Sequence, residues 1–196
     1  MKKCNVSLLY EEYNTVIKPL IASIEAKSER FHAQILNEIR AVHDHIARCY
    51  LGKDDQFNQK QFDKARSHNE RLVLDCLKML NMLAKEQMQE IESKTRLEQI
   101  DSGKFYIKYC QLADEAEKLT EKAKIKESID KYEAINLFQK ASVSYNKILD
   151  LIAKNRTHIK WAKIRFWQET FWAFTLWMLS IILSALAGAC ISALIK

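Results

Sequence analysis

The chain has 196 residues, with 31 Lys or Arg against 25 Asp or Glu, a formal net charge of +6. That length suits one modest domain with an appendage. Three glycines and one proline are too few for the turns that strands and hairpins need, so the composition excludes a β-rich fold and points to an all-α one. The charge surplus is no general nucleic-acid footprint: residues 156–196 carry five Lys/Arg and one Glu, leaving 26 basic against 24 acidic residues in the rest.

The opening MKKCNVSLLYEEY begins like a signal peptide, but Glu11 and Glu12 interrupt its apolar patch, and none is expected. Residues 5–17 predict a short helix with Leu8, Leu9, Tyr13 and Ile17 as apolar positions. Pro19 cannot continue that helix without losing a hydrogen bond, but it suits the first turn of the next. The spacing of Leu20, Ile24, Phe31, Ile35, Ile39, Val42, Ile46 and Tyr50 predicts a helix from Pro19 to Leu51, stopped by Gly52 with Lys53, Asp54 and Asp55 as the turn. A third helix is predicted from about Asp55 to about Ile100, its buried side marked by Phe62, Ala65, Leu72, Cys76, Leu80, Leu83 and Ile91. It exceeds the usual ~10–14 residues, so it is expected to bend or to project as an αα-hairpin arm.

Asp101-Ser102-Gly103 is the next break. A fourth helix covers about Lys104 to Lys126, with Tyr106, Cys110, Ala113, Ala116, Leu119 and Ala123. After Glu127-Ser128 a fifth carries Ile129, Tyr132, Ile135, Phe138, Ser142, Tyr145, Ile148, Leu149 and Ile152. No Pro or Gly interrupts residues 104–187, so this helix is expected to run almost unbroken into the C-terminal segment. YEAINLFQKA, Tyr132–Ala141, looks like one unit of a helical repeat, but it occurs once, and stacked repeats need several copies.

From Thr170 to Ile195 the chain has 26 consecutive uncharged residues. A membrane span needs ~20 apolar residues to cross ~30 Å of hydrocarbon, so a single C-terminal transmembrane helix is expected. Arg156, Lys160, Lys163 and Arg165 precede the run, opposed by Glu169, and only Lys196 follows it. Positive flanks stay on the cytoplasmic side, which places the N-terminal body in the cytoplasm and Lys196 across the bilayer. Trp161, Trp167, Trp172 and Trp177, with Phe166 and Phe171, crowd the entry side as an interfacial belt. The chain is thus read as a cytosolic domain over 1–155, a basic and aromatic juxtamembrane segment over 156–169 and a span over 170–195.

Within the span Ser180, Ser184, Gly188 and Ser192 recur every fourth residue, as do Ala185, Ala189 and Ala193. Stripes of small residues let helix backbones approach closely, so homo-oligomerisation in the membrane is expected, with the serines lining a wet lumen as its extreme form. The alternative is that Ser and Ala are ordinary fillers of a span.

Five cysteines, Cys4, Cys49, Cys76, Cys110 and Cys190, form no CxxC and no metal-ligand spacing; they are expected to be reduced, small and largely buried. No P-loop, GxGxxG, HExxH or GxSxG occurs, and no cofactor or metal is expected. The segment that could carry chemistry is NEIRAVHDHIARCY, Asn37–Tyr50. With Ile35, Ile39, Val42 and Ile46 facing inward, Arg40 points away from the core. His45 lies on one flank beside Glu38, and His43 lies on the other. Arg40 and His45 are ~140° apart on an ideal helix, so one chain would not aim both at one phosphate, whereas two chains packed antiparallel could pair them. Metal-free RNA cleavage needs a proton acceptor, a proton donor and a cation for the phosphorane, which His and Arg supply near neutral pH. The structural alternative pairs Asp44 with Arg40 and leaves the histidines half-exposed.

This segment resembles the motif helix of HEPN domains, with its Glu-hydrophobic-Arg step, a small residue, and His45 after R-x4. The resemblance implies an α-helical bundle over about residues 1–150 that dimerises around such helices. Many HEPN domains are metal-independent ribonucleases of toxin and antiviral systems; others only bind nucleic acid or partners. Ala41 stands where active members often have a polar residue, which argues against cleavage while leaving the fold and the dimer surface. KARSHNERLVLDCLK, Lys64–Lys78, also has a HEPN-like look, with His68 and Arg71 as a weaker candidate pair whose expected role is structural. A HEPN-like body on a membrane span is most similar to the membrane-anchored accessory proteins of type VI-B CRISPR systems. That similarity implies an antiviral defence effector working beside an RNA-guided effector, a homo-oligomeric pore-like assembly whose partners are the lipid bilayer, itself, and the CRISPR effector or RNA. Arg40, His45, Glu38, His43 and Asp44 would sense or cleave RNA. Two alternatives stay open: a membrane-tethered ribonuclease of toxin type, and a non-enzymatic tail-anchored adaptor.

Overall fold

A computed structural model describes residues 5–28, 30, 32–51 and 54–194, with side chains to Gly188. Expectations for Cys4, Phe31, Gly52, Lys53, Ile195 and Lys196, and for the side chains of Ala189, Cys190, Ser192 and Ala193, lie outside the described residues. Among the described residues there is no strand; the chain is all-α and forms six helices.

Helix α1 comprises Val6–Glu12 and Lys18–Ser28, joined through one π-helical turn at Tyr13–Ile17. The expected boundary at Pro19 is therefore absent. Proline lacks an N–H and its ring presses on the carbonyl four residues back, here Thr15, inside the π turn. The wider i→i+5 pairing absorbs both defects where an α turn would break. The chain breaks instead after Ser28, splitting the helix expected over Pro19–Leu51. The Ser28 hydroxyl donates to the Ile24 carbonyl at 2.9 Å and accepts from the Arg30 N–H at 3.4 Å, offering the backbone a local alternative to the helix.

Helix α2 is Ala33–Leu51 and α3 is Asp55–Glu92, the latter capped by Asp54, whose Oδ1 accepts the Phe57 N–H at 2.7 Å. Helix α3 stops short of the expected Ile100. A 3₁₀ stretch, Leu97–Gly103, follows as an elbow in which Asp101, Ser102 and Gly103 take φ of 50°, 52° and 86°. Gly103 takes its left-handed conformation at no steric cost; Asp101 and Ser102 do not. Helix α4, Lys104–Lys126, has its expected bounds, and α5 is Lys131–Lys154 with Asp130 Oδ1 accepting the Glu133 N–H at 3.1 Å. Only Asn155, whose side chain bonds the Leu151 carbonyl at 2.9 Å, separates α5 from α6, Arg156–Leu194.

The chain divides into two compact units, one of Met1–Met88 with Cys110–Leu149, the other of Gln89–Tyr109 with Asp150–Lys196. In the first, Ile17 and Ile24 of α1, Ile35 of α2, Leu72, Cys76 and Leu77 of α3, Ala123 of α4 and Phe138 of α5 form one apolar core. A second cluster joins Val6, Leu9, Val42, Ile46 and Ala65. Two buried amides fix helix registers. Asn69 donates to the Leu9 carbonyl at 3.2 Å and to Glu12 at 3.0 Å; Asn81 donates to the Phe138 carbonyl at 3.1 Å and accepts from Ser142 at 2.6 Å. Lys85–Glu117 at 2.7 Å, and Lys78 with Glu127 just past the end of α4 at 2.5 Å, bind α3 and α4 in antiparallel register. Some apolar positions read as core are exposed, notably Leu8, Tyr50, Ile129 and Tyr132; the Tyr132 hydroxyl instead bonds the Glu70 carboxylate.

In the second unit Phe105 and Tyr109 are buried, where the helical pattern had put Tyr106, which is exposed. Their rings stack at 5.9 Å, and the Tyr109 hydroxyl donates to Glu92 at 2.8 Å. Leu97 and Ile100 are buried, the elbow packs on α6, and Arg96 pairs with Glu169 at 2.8 Å. Over Arg156–Gly188, α6 is long and apolar enough to cross a membrane, and its apolar stretch is not buried in the protein.

Candidate functional site

Residues 38 and 45 are seven apart, so on α2 they lie almost on one line, flanking the stripe of Ile35, Val42 and Ile46 that faces the core. Helix α3 meets this flank with Gln61, His68 and Arg71. His45 Nδ1 is 2.8 Å from Gln61 Oε1; since a carbonyl oxygen only accepts, Nδ1 carries the hydrogen and Nε2 is left as the second nitrogen. His68 Nδ1 is 2.7 Å from Glu38 Oε2, and the two imidazoles stack at 5.2 Å with 23° between their planes. Arg71 Nη1 lies 3.6 Å from Glu38 Oε1. The cluster thus holds two parallel imidazoles, each anchored through Nδ1, one of them on a half-buried carboxylate.

Charge continues along α3. Gln34 Nε2 donates to Asp75 Oδ2 at 2.9 Å, and Lys78 lies 3.9 Å from Asp75. Burial pushes the Asp75 carboxyl above its ordinary range, opposed by the Gln34 bond and by Lys78, with Glu38 and Glu127 adding to the rise. Beneath it burial, aided by Asp75, pushes the Cys76 thiol up to about 12. Cys49 and Cys110, the other cysteines with described side chains, form no disulfide, and the Cys49 thiol donates to the Asn58 carbonyl at 3.5 Å.

The remaining motif residues stand apart. Arg40 is exposed and on the far side of α2 from Glu38. His43 lies against Tyr10 of α1, ring centroids 6.0 Å apart. Asp44 pairs with Arg48 at 2.9 Å, not with Arg40. Within one chain, then, the structure joins His45 and Glu38 to His68 and Arg71 and leaves Arg40, His43 and Asp44 on other faces. Gln61 was not legible as part of the site: a Gln inside a helix carries no signal until its neighbour is known. Its heptad relation to His68 was the one available hint.

On α6 the hydroxyl of Ser180 donates to the Trp177 carbonyl at 2.7 Å and that of Ser184 to the Ser180 carbonyl at 2.8 Å. A Cβ added at Gly188 meets no atom within 4 Å, so that face is open. Trp161, Trp167 and Trp172 are all exposed, with Arg156, Lys160, Lys163 and Arg165 on the same stretch. One side of it, with Lys160, Lys163, Trp167 and Trp172, borders an open groove of about 650 Å³; the other, with Trp161 and Arg165, faces the elbow across a cavity of about 440 Å³. Among the described residues no three His, Cys, Asp or Glu side chains converge as a metal site. Comparison with models of known families, with curated proteins and with solved structures finds no match for this chain.

Proposed function

We propose that this chain is a single-span membrane effector that acts as a homo-oligomeric, pore-like assembly in a bacterial inner membrane. Its HEPN-like body on the cytoplasmic side responds to an RNA-guided CRISPR effector or to RNA. The observation that carries the membrane part is α6, whose apolar surface is left uncovered by the rest of the chain. In water such a surface drives aggregation; in lipid it costs nothing. Four cations before Thr170 favour a cytoplasmic body. The open face at Gly188 supports close contact between spans. The hydroxyls of Ser180 and Ser184 are satisfied by their own helix, so that face can pack against another helix without a bonding partner across the contact. The defence role rests on the likeness of NEIRAVHDHIARCY to HEPN motif helices. Purified protein reconstituted into anionic liposomes should release a trapped dye, and Ser184→Leu should abolish release. Tight vesicles at every protein density, or equal release by the variant, would count against this reading.

A second reading, a metal-independent ribonuclease, is favoured by the stacked His45–His68 pair. Anchoring through Nδ1 leaves both Nε2 atoms for proton transfer: the bare Nε2 of a neutral ring would take the 2′-hydroxyl proton, and the Nε2–H of a second ring, acting as imidazolium, would give its proton to the leaving 5′-oxygen. Arg71, next to the pair, or Arg40 from a second chain would balance the phosphorane charge. It predicts RNA cleavage in EDTA that His45→Ala and His68→Ala each abolish; intact RNA under all conditions would remove it.

A further inference from the structure

The juxtamembrane cavity holds two charges that do not meet. Asp101 of the elbow and Arg165 of α6 both line it, and neither side chain makes an ion pair or hydrogen bond with another described residue. His158, Trp161, Gln99 and Gln168 complete its polar rim. The elbow that presents Asp101 is strained: Asp101 and Ser102 are successive non-glycine residues at φ of 50° and 52°. It is held there by burial of Leu97 and Ile100 and by the Arg96–Glu169 pair. The fold therefore lines one cavity of about 440 Å³ with a carboxylate and a guanidinium that are not paired with each other, which leaves room for a ligand.

Depth gives the ligand's class, on the reading that α6 spans a membrane. At 1.5 Å per residue Arg165 lies about 8 Å above Thr170, where the uncharged run begins. The headgroup layer is about 5–8 Å thick on each side of the hydrocarbon, so the cavity opens at headgroup level. A purely anionic headgroup would meet Asp101, and a cation would meet Arg165. A zwitterion satisfies both. We propose that the elbow–α6 cavity binds the headgroup of an ethanolamine phospholipid, its phosphate on Arg165 and its ammonium on Asp101. The Trp161 indole N–H and His158 are further donors for the phosphate, and the Gln99 and Gln168 carbonyls are acceptors for the ammonium. Three N–H donors on the ammonium distinguish ethanolamine from choline, whose methylated nitrogen has none to give Asp101.

The test is lipid retention by the full chain, purified in detergent with equimolar phosphatidylethanolamine, phosphatidylcholine and phosphatidylglycerol and read by native mass spectrometry. The wild type should retain the ethanolamine lipid about fivefold over the other two, the scale of one partly exposed ion pair. Asp101→Asn, which tolerates a positive φ, should keep the fold and level the three. Asp101→Lys should turn the preference to phosphatidylglycerol, and Arg165→Gln should weaken retention of all. Equal retention by the wild type, or an ethanolamine preference unchanged in Asp101→Asn, would overturn the proposal. Release of the chain from membranes by alkaline carbonate would overturn it together with the membrane reading; carbonate-resistant protein without headgroup preference would overturn the cavity alone.

Discussion

Removing the Glu38 carboxylate separates scaffold from function at the α2–α3 cluster. Glu38→Ala deletes the 2.7 Å bond to His68 and the 3.6 Å contact with Arg71 together. A hydrogen bond to a charged group contributes about 1.5–3 kcal/mol. The Arg71 contact, with its guanidinium half in solvent, adds no more than about 0.2–1 kcal/mol. The expected loss is therefore roughly 2–4 kcal/mol, which for a chain of this size lowers Tm by about 4–16 °C. Glu38→Gln keeps an acceptor for His68 and should lose less than half of that. Arg40→Ala removes an exposed side chain with no partner among the described residues and should stay within about 0.5 kcal/mol of the wild type. Thermal melts of the three detergent-purified variants, followed by circular dichroism at pH 7, give the ranking. If Glu38→Ala melts with the wild type, or if Arg40→Ala is the least stable, the cluster does not hold α2 to α3 as described. With the predicted ranking, any loss of activity in Arg40→Ala is functional rather than a folding defect.

Other outcomes follow from the same contacts. Asp75 has its carboxyl raised by burial, so the folded chain holds that proton more tightly than the unfolded chain and loses stability as pH rises above the ordinary carboxylate range. Asp75→Asn should therefore melt above the wild type at pH 7, and the gap should close below about pH 4; a variant less stable at pH 7 would refute this. Cys76, fully buried with its thiol pushed up to about 12, should resist iodoacetamide at pH 8 until the fold opens, while Cys49 and Cys110, both partly exposed, react first; mass spectrometry of alkylated peptides reads the order. Phe138→Ala, emptying the core between α3 and α5, should cost about 3–5 kcal/mol by chemical denaturation, and a loss under 1 kcal/mol would mean that this core is not packed as seen.

Helix type and several boundaries were legible because they rest on local chemistry. The bounds of α4 and the break at Asp101-Ser102-Gly103 follow from turn residues and apolar spacing. The uncharged run made the C-terminal helix plain. What failed depended on partners. Pro19 reads as a boundary, but a π turn upstream lets α1 pass it. The stop after Ser28 has no Gly or Pro, only a serine that bonds backward. Phe105 and Tyr109 are buried because the elbow folds back on α6, and no periodicity within α4 foretells that. At the site, the flank shared by Glu38 and His45 followed from helical geometry, whereas their meeting with Gln61 and His68 depended on the packing of α3, which the sequence does not spell out.

The central claim is that spans from several copies of this chain pack together through the small-residue face of α6. Its most direct test is the mass of the detergent-solubilised protein by multi-angle light scattering, wild type beside Gly188→Leu. Because a Cβ added at Gly188 meets no atom within 4 Å among the described residues, the substitution is expected to act through contacts with another molecule. A discrete oligomer for the wild type that falls to smaller species in the variant is the predicted result. A wild-type monomer, or an oligomer that Gly188→Leu leaves intact, would contradict the claim.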